Sequence, residues 1–244
     1  MLVEVGKVEA IFRYPVKSMA GEQLDTANLR WHGIEGDRRL AFRRVNDRSG
    51  MPWLTASQLP DLLRYTPHRD EANAGGDLPT HIRTLDGQLM SVFGETLANE
   101  IGKRHGAPVQ VMHLRHGIFD ETPISLITSA TVCEIVERSL DARQFRPNIV
   151  VRLPQSGAFQ EDAWLNGAIS FGEGSDAPEI VITMRDERCS MVNLNPDSAI
   201  PTPEVMKAIV RMNQNTAGVY GAVTRPGRLT VGQTVVFREA SEKR

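Results

Sequence analysis

Cys189, in the stretch RDERCSMVNLNPD, is one of only two cysteines in 244 residues and sits in a polar setting. A thiol so placed is either an incidental small side chain or a thiolate that serves as nucleophile or metal ligand, and the neighbouring Arg188 would favour the thiolate. Cys133, within TSATVCEIVERSL, lies near the apolar stripe of a helical pattern and reads as a small core residue. Two cysteines cannot build a disulfide framework, which points to a reducing cytoplasm. His105, His113 and His116 lie close together, but no HExxH or paired CxxC accompanies them, so they read as ordinary surface histidines. GxGxxG after a strand, GxxxxGK[ST] and GxSxG are all absent. Dinucleotide, P-loop and nucleophile-elbow chemistries therefore lack support.

The basic residues offer a second chemistry. PVKS places Lys17 and Ser18 at the end of a first strand. GDRRLAFRR supplies Arg38, Arg39, Arg43 and Arg44, and FRPN supplies Arg146 and Asn148. Lysine, serine and arginine converging from strand ends can hold a phosphate, arginine in a bidentate manner. The plain alternative is a solvated edge strand carrying guard charges.

The elements that must position these residues are mostly short strands. Val8, Ala10, Phe12 and Tyr14 alternate with charged residues, which predicts a half-buried strand, and Pro15 keeps Tyr14 extended. Leu40, Phe42 and Val45 mark another strand. TASQLPDLLRYTP predicts one short helix before Pro67, and HIRTLDGQLMSVFG predicts two strands around Asp86-Gly87. Asp70–His81, polar and rich in Gly and Pro, reads as a hairpin excursion. One helix is expected over 128–140, capped by Thr128 or Ser129, with Val132, Ile135, Val136 and Leu140 on one face. Another is expected over 202–213, with Thr202 as N-cap, Pro203 and Glu204 in the first turn, and Val205, Ile209 and Met212 buried. Leu229 and Val231, then Val235 and Phe237, predict a final hairpin around Gly232-Gln233. Many short strands with few helices imply barrel-like sheets.

Bulk properties agree with a globular protein. Hydrophobic residues make up 41% and charged residues 24% of the chain, enough to bury a core without staples. A formal charge of -2 predicts no pull toward nucleic acid or a membrane surface. The start alternates and carries early charges, unlike a targeting peptide. No apolar run reaches the roughly 20 residues of a membrane helix.

YPVKSMAGE, GDRRLAF, FRPNIVV, the Arg188-Cys189 pair and PGRLTVGQTVVF occur in this order along the chain. Together they resemble the MOSC family (molybdenum cofactor sulfurase C-terminal domain), in the branch of the mitochondrial amidoxime-reducing component and its bacterial relatives. The resemblance implies a β-rich α+β fold with few helices. An N-terminal β-barrel-like domain over residues 1–115 would pack on a MOSC β-barrel domain over 116–244, with the cofactor in the cleft between them.

The resemblance also implies site residues. Cys189 would supply a thiolate to molybdenum held by a pterin dithiolene. Lys17, Ser18, Arg38, Ser129 (or its neighbour Thr128), Arg146, Asn148 and Tyr220 would bind the molybdenum cofactor. A phosphate on the pterin suits the Lys/Ser/Arg set, and a soft thiolate suits molybdenum. The implied activity is reduction of small N-hydroxylated or N-oxygenated compounds by oxygen-atom transfer. The rival is a cofactor or sulfur carrier without turnover; a β-barrel binding module that has lost its cofactor is a further one. Val192, Asn193 and Asn195 depart from the family's threonine-rich step into Asp-Pro-Asp, which bears on substrate preference. Two cysteines are too few for the four ligands of a [2Fe–2S] cluster. Electrons are thus expected from a separate protein, with Arg38 to Arg48 as a candidate docking face for an acidic donor and a solvated strand as the alternative.

Overall fold

A computed structural model describes residues 2–70, 76, 78–135, 141–155 and 157–240. The strands are β1 (Leu2–Arg13), β2 (Glu22–Leu24), β3 (Thr26–Arg30), β4 (Gly33–Ile34), β5 (Leu40–Arg44), β6 (Thr66–His68), β7 (His81–Arg83) and β8 (Leu89–Ser91). Then come β9 (Val109–His113), β10 (Ile124–Thr128), β11 (Ile149–Arg152), β12 (Ala168–Phe171), β13 (Glu179–Glu187), β14 (Thr216–Arg225), β15 (Gly227–Thr230) and β16 (Thr234–Arg238). The α-helices are α1 (Glu95–His105), α2 (Ser129–Ile135) and α3 (Glu204–Asn213). Short 3-10 turns cover Pro60–Arg64, Ala142–Phe145, Gln160–Trp164 and Ser190–Asn193. No helix among the described residues is long and apolar enough to cross a membrane.

An eight-stranded sheet runs β11-β10-β14-β13-β12-β16-β1-β2, and a further β11–β1 pairing closes it into a barrel. Strand β1 carries the closure because it pairs with both β16 and β11. A register shift between Val8 and Ala10 changes which parity faces inward. Val8 and Ile11 consequently enter the barrel interior with Ile149, Ile169, Ile182 and Val219. Ala10, Phe12 and the following Tyr14 instead meet α2 and α3 through Val132, Ile135, Val205 and Ile209.

The N-terminal part holds three smaller sheets, β15-β3-β4, β5-β9 and β6-β7-β8, the first completed by a strand from the far end of the chain. Its core gathers Val16, Met19, Leu40, Phe42, Tyr65 and Ile101, and the later residue Leu194 joins them. The fold is thus β-rich, with an N-terminal barrel-like part, a closed barrel and few helices. Helix α1 was not anticipated; Leu97 and Ile101, one turn apart, bury its single narrow face, and Gly106 (φ 80°) ends it.

Several expectations are corrected. The hairpin around Gly232-Gln233 does not form: β15 pairs with β3, while β16 pairs with β1 and β12. The turn between them clamps onto β1, with Gly232 N donating to the Val8 carbonyl at 2.7 Å. Cys133 is exposed, because Thr131, Val132 and Ile135 define the buried face of α2. Val136 and Leu140 lie outside the described residues, as does half of the Asp70–His81 excursion between the paired strands β6 and β7. Met212 is 37% exposed, and Val205, Ala208 and Ile209 form the buried stripe of α3.

The starts of α2 and α3 are fixed by side chains. At α2, Thr131 N donates to Thr128 Oγ1 at 3.2 Å, so Thr128 caps in preference to Ser129. Buried Glu161 braces the same point, accepting from the Thr128 amide and the Thr131 hydroxyl. At α3, Thr202 does not cap; Asn193 Oδ1 accepts from Met206 N at 2.9 Å.

Two predictions arise here. Asn193→Ala should cost about 1 kcal/mol, a fall in Tm of about 2–4 °C, whereas Thr202→Ala should change Tm far less. Burial raises the pKa of Glu161 despite its hydrogen-bond donors. The native state therefore binds this proton more readily than the unfolded chain, and its contribution to stability falls as pH rises above about 4.3. Glu161→Gln should remove that slope in urea titrations run across the acidic range.

Candidate functional site

Strand β1 ends at Arg13 and delivers Tyr14, Lys17 and Ser18 to the junction between the barrel and the N-terminal core. The junction is held by Arg38. Its guanidinium donates to Asp37 Oδ2 at 2.5 Å, Asn148 Oδ1 at 3.1 Å and the Arg146 carbonyl at 2.9 Å. Asp37 also accepts from the Tyr14 amide at 2.7 Å, and Asn148 Oδ1 accepts from Ser125 N at 3.1 Å. Three sequence motifs more than 20 residues apart, YPVKS, GDRR and FRPN, are thereby tied into one knot.

The cluster is cationic. Lys17, only 7% exposed, donates to Asp120 Oδ1 at 2.6 Å. Burial lowers the Lys17 pKa, opposed by Asp120 and reinforced by Arg38 and Arg146. Burial pulls Arg146 down to about 10. The Arg146 and Arg38 guanidiniums lie 4.2 and 5.1 Å from the centroid of the Tyr14 ring, within cation–π range. Lys17, Arg38 and Arg146 face the carboxylates of Asp37 and Asp120, which leaves one positive charge in excess.

Three residues of the knot, Ser18 (φ 65°), Arg38 (φ 47°) and Arg146 (φ 51°), carry left-handed backbone, which costs a non-glycine residue roughly 1 kcal/mol or more. Such conformations persist at ligand sites because the surroundings impose them. Ser18 is buried as well.

A second group borders the first. Asp186, 1% exposed, accepts from Ser125 Oγ at 2.8 Å and pairs with Arg188 at 2.8 Å. It also bonds the Tyr220 side chain. Burial raises the pKa of both Asp186 and the Tyr220 hydroxyl, so Tyr220 holds its proton. Arg188 is committed inward, donating to the Phe145 and Ala217 carbonyls at 2.7 Å. The charge next to Cys189 in sequence is thus directed at Asp186 and these two carbonyls. Gly218 (φ 84°) makes room for it: a Cβ there would lie 3.1 Å from an Arg188 nitrogen and 2.7 Å from the Leu126 carbonyl oxygen.

Cys189 is exposed and opens the Ser190–Asn193 turn. That turn is anchored on both cores, by Val192 in one and Met191 against the other, and Gln144 Nε2 donates to the Val192 carbonyl. Asn195 closes an Asx turn, its Oδ1 accepting from Asp197 N and Ser198 N. The family departures at Val192, Asn193 and Asn195 thus hold up the cysteine loop through packing and capping. Ser129 and Cys189 make no hydrogen bond to the cationic knot among the described residues.

A cleft of about 210 Å³ adjoins the knot. Tyr14, Gly21 and Arg64 line one side; Arg143, Arg146 and Asp197 line the other. Arg146 Nη2 is buried without a protein acceptor, as is the Tyr14 hydroxyl. Among the described residues, no group of three or more His, Cys, Asp or Glu could hold a metal ion. The two orphaned donors, Arg146 Nη2 and the Tyr14 hydroxyl, are what oxygen atoms of an anionic pterin would meet in this cleft.

Sequence reasoning missed Tyr14, Asp37, Asp120, Ser125 and Asp186 as members of the site. Tyr14 and Asp37 lie inside the YPVKS and GDRR motifs and Asp186 just before Arg188, whereas Asp120 and Ser125 belong to no motif; the roles of all five as counter-charges and braces appear only in three dimensions. Within the Arg38–Arg48 stretch, Arg38 points into the knot, Arg39 donates to the Leu114 carbonyl and Arg44 pairs with Asp47, while Arg48 is exposed.

Comparison with known proteins agrees with this architecture. The YUAD protein from Bacillus subtilis has a similar fold, with a TM-score of 0.53 at 14% identity over 99% of each chain. YiiM from Geobacillus stearothermophilus is matched with a TM-score of 0.37 at 20% identity, over 48% of this chain and 54% of that one. A hypothetical protein is matched with a TM-score of 0.43 at 12% identity, over 98% of this chain and 71% of that one. No curated protein matches. Residues 5–114 match the MOSC N-terminal beta barrel domain and residues 102–236 match the MOSC domain. The architecture is consistent with a molybdenum-cofactor-related function, and the chain belongs to the MOSC domain family.

Proposed function

We propose that this protein holds the molybdenum cofactor and reduces N-hydroxylated or N-oxygenated small molecules, drawing electrons from a separate electron-transfer protein. The observation that carries the reading is the cationic knot of Lys17, Arg38 and Arg146 beside a cleft, with the buried Arg146 Nη2 lacking a protein acceptor. When bound, the cofactor supplies two-electron oxygen-atom transfer. The protein contributes binding, orientation and electrostatics.

Lys17, Ser18, Arg38 and Arg146 would grip the phosphate and pterin. Asn148 orients Arg38 through its Oδ1. Ser129, at the start of α2, would add a further polar contact to the cofactor. Tyr220 keeps its proton beside Asp186 and can donate to an acceptor. Cys189 would provide the thiolate ligand. Cofactor-loaded protein should reduce an amidoxime with reduced methyl viologen but not with NADH alone. Cys189→Ala should bring that activity to background, and the exposed Cys133→Ala should leave it unchanged. The exposure of Cys189 also suits a carrier that delivers cofactor or sulfur; bound cofactor without methyl-viologen turnover would establish that reading instead.

The Lys17–Asp120 pair yields a binding prediction. Asp120 occupies the lysine that an incoming anion would need. Burial opposes the Asp120 charge, yet Lys17, Arg38 and Arg146 hold its pKa below the usual carboxylate range. Asp120→Asn should tighten the binding of inorganic phosphate, and Lys17→Ala should weaken it. Each change should be roughly tenfold, the equivalent of ~1.4 kcal/mol, by calorimetric titration.

A further inference from the structure

The Tyr14 hydroxyl has no role so far, and its surroundings are unusual. The residue is 1% exposed, and its hydroxyl has no hydrogen-bond partner in the protein. A buried polar group left unpaired destabilises the fold, and a phenylalanine would fill the same volume without that penalty. Burial pushes the Tyr14 hydroxyl well above its ordinary pKa, so it is a donor and not an anion. The second unpaired donor, Arg146 Nη2, belongs to the guanidinium 4.2 Å from the Tyr14 ring centroid. Both residues line the same cleft of about 210 Å³.

The ring has little freedom to turn elsewhere. A Cβ on Gly21 would lie 2.4 Å from Tyr14 Cε1, so glycine at 21 lets the chain close over the ring edge. The Tyr14 amide is fixed by Asp37 Oδ1 at 2.7 Å, and its carbonyl accepts from Arg38 N at 2.8 Å. Two donors held in place without protein acceptors, one of them on a guanidinium, suit one polar end of an oxygen-rich anionic ligand. At about 30 Å³ per water, the cleft admits a group the size of a phosphate or a ring edge.

We propose that Tyr14 is a further ligand-contacting residue, whose hydroxyl donates a hydrogen bond to an oxygen acceptor of the anionic pterin cofactor at the end of the cleft shared with Arg146 Nη2. The inference rests on the cofactor reading above and deepens it. It separates stability from binding: the hydroxyl costs the unloaded protein stability and is compensated only when ligand is present.

The test is Tyr14→Phe, which keeps the ring and its cation–π contacts. Wild type and variant are made in a host that supplies the cofactor and in one that lacks it. Pterin per chain is measured by fluorescence after oxidative release, following extended dialysis, and Tm is measured on the unloaded proteins. The expected result is a variant whose unloaded Tm equals or exceeds that of wild type. Its cofactor affinity should be weaker by about 3- to 10-fold, the effect of one lost hydrogen bond. A lower Tm in the unloaded variant, or failure to fold, would show that the hydroxyl is structural and overturn the proposal. Equal pterin retention in both loaded proteins would overturn it as well. A wild type that carries no pterin would refute the cofactor reading itself, a separate outcome.

Discussion

The Arg38 guanidinium is the interaction on which the rest of the site depends. It joins Asp37 from its own turn, Asn148 at the entry to the barrel strand β11, and the carbonyl of Arg146. With one side chain it ties the N-terminal part to the closed barrel and fixes the left-handed backbone of Arg146. Breaking a buried, multiply bonded cation from its partners typically costs several kcal/mol, so this contact stabilises the junction and shapes the binding site at once. The strain at Arg38 and Arg146 is offset by those same bonds.

Two charge systems lie side by side and do different work. Lys17, Arg38 and Arg146 are partly compensated by Asp37 and Asp120, leaving an excess positive charge for an anion. Asp186 and Arg188, both nearly buried, neutralise each other and spend their remaining donors and acceptors on Ser125, Ala217 and Phe145. The second pair is a brace that holds β13, β14 and the Ala142–Phe145 turn around the first. Cys189 follows directly on that brace, so its loop starts from a rigid point although the thiol itself is exposed.

The sequence made much of this legible. Alternation located β1 and β5, Asp86-Gly87 located the β7–β8 turn, and the order of short polar motifs indicated both the family and the residues that meet at the knot. It failed where partners are distant in sequence. The apolar pattern around Gly232-Gln233 has the appearance of a hairpin, yet each arm finds a better partner hundreds of residues away in β3 or β1. Thr202 stands where a cap belongs, but Asn193, brought over by the cysteine loop, takes the bond. Cys133 sits beside apolar neighbours and still faces solvent, since Thr131, Val132 and Ile135 form the buried face of α2. Arg188 neighbours Cys189 in the chain but turns its charge inward. Sequence adjacency did not determine direction in any of these cases.

Whether the knot and the cysteine loop together hold one molybdenum cofactor is tested by anomalous diffraction at the molybdenum edge from crystals of protein made in a cofactor-competent host. One molybdenum peak is expected within bonding distance of Cys189 Sγ, with the cofactor's phosphate against Lys17 and Arg146. A loaded protein whose molybdenum lies away from Cys189, or whose phosphate lies away from that knot, would contradict that arrangement.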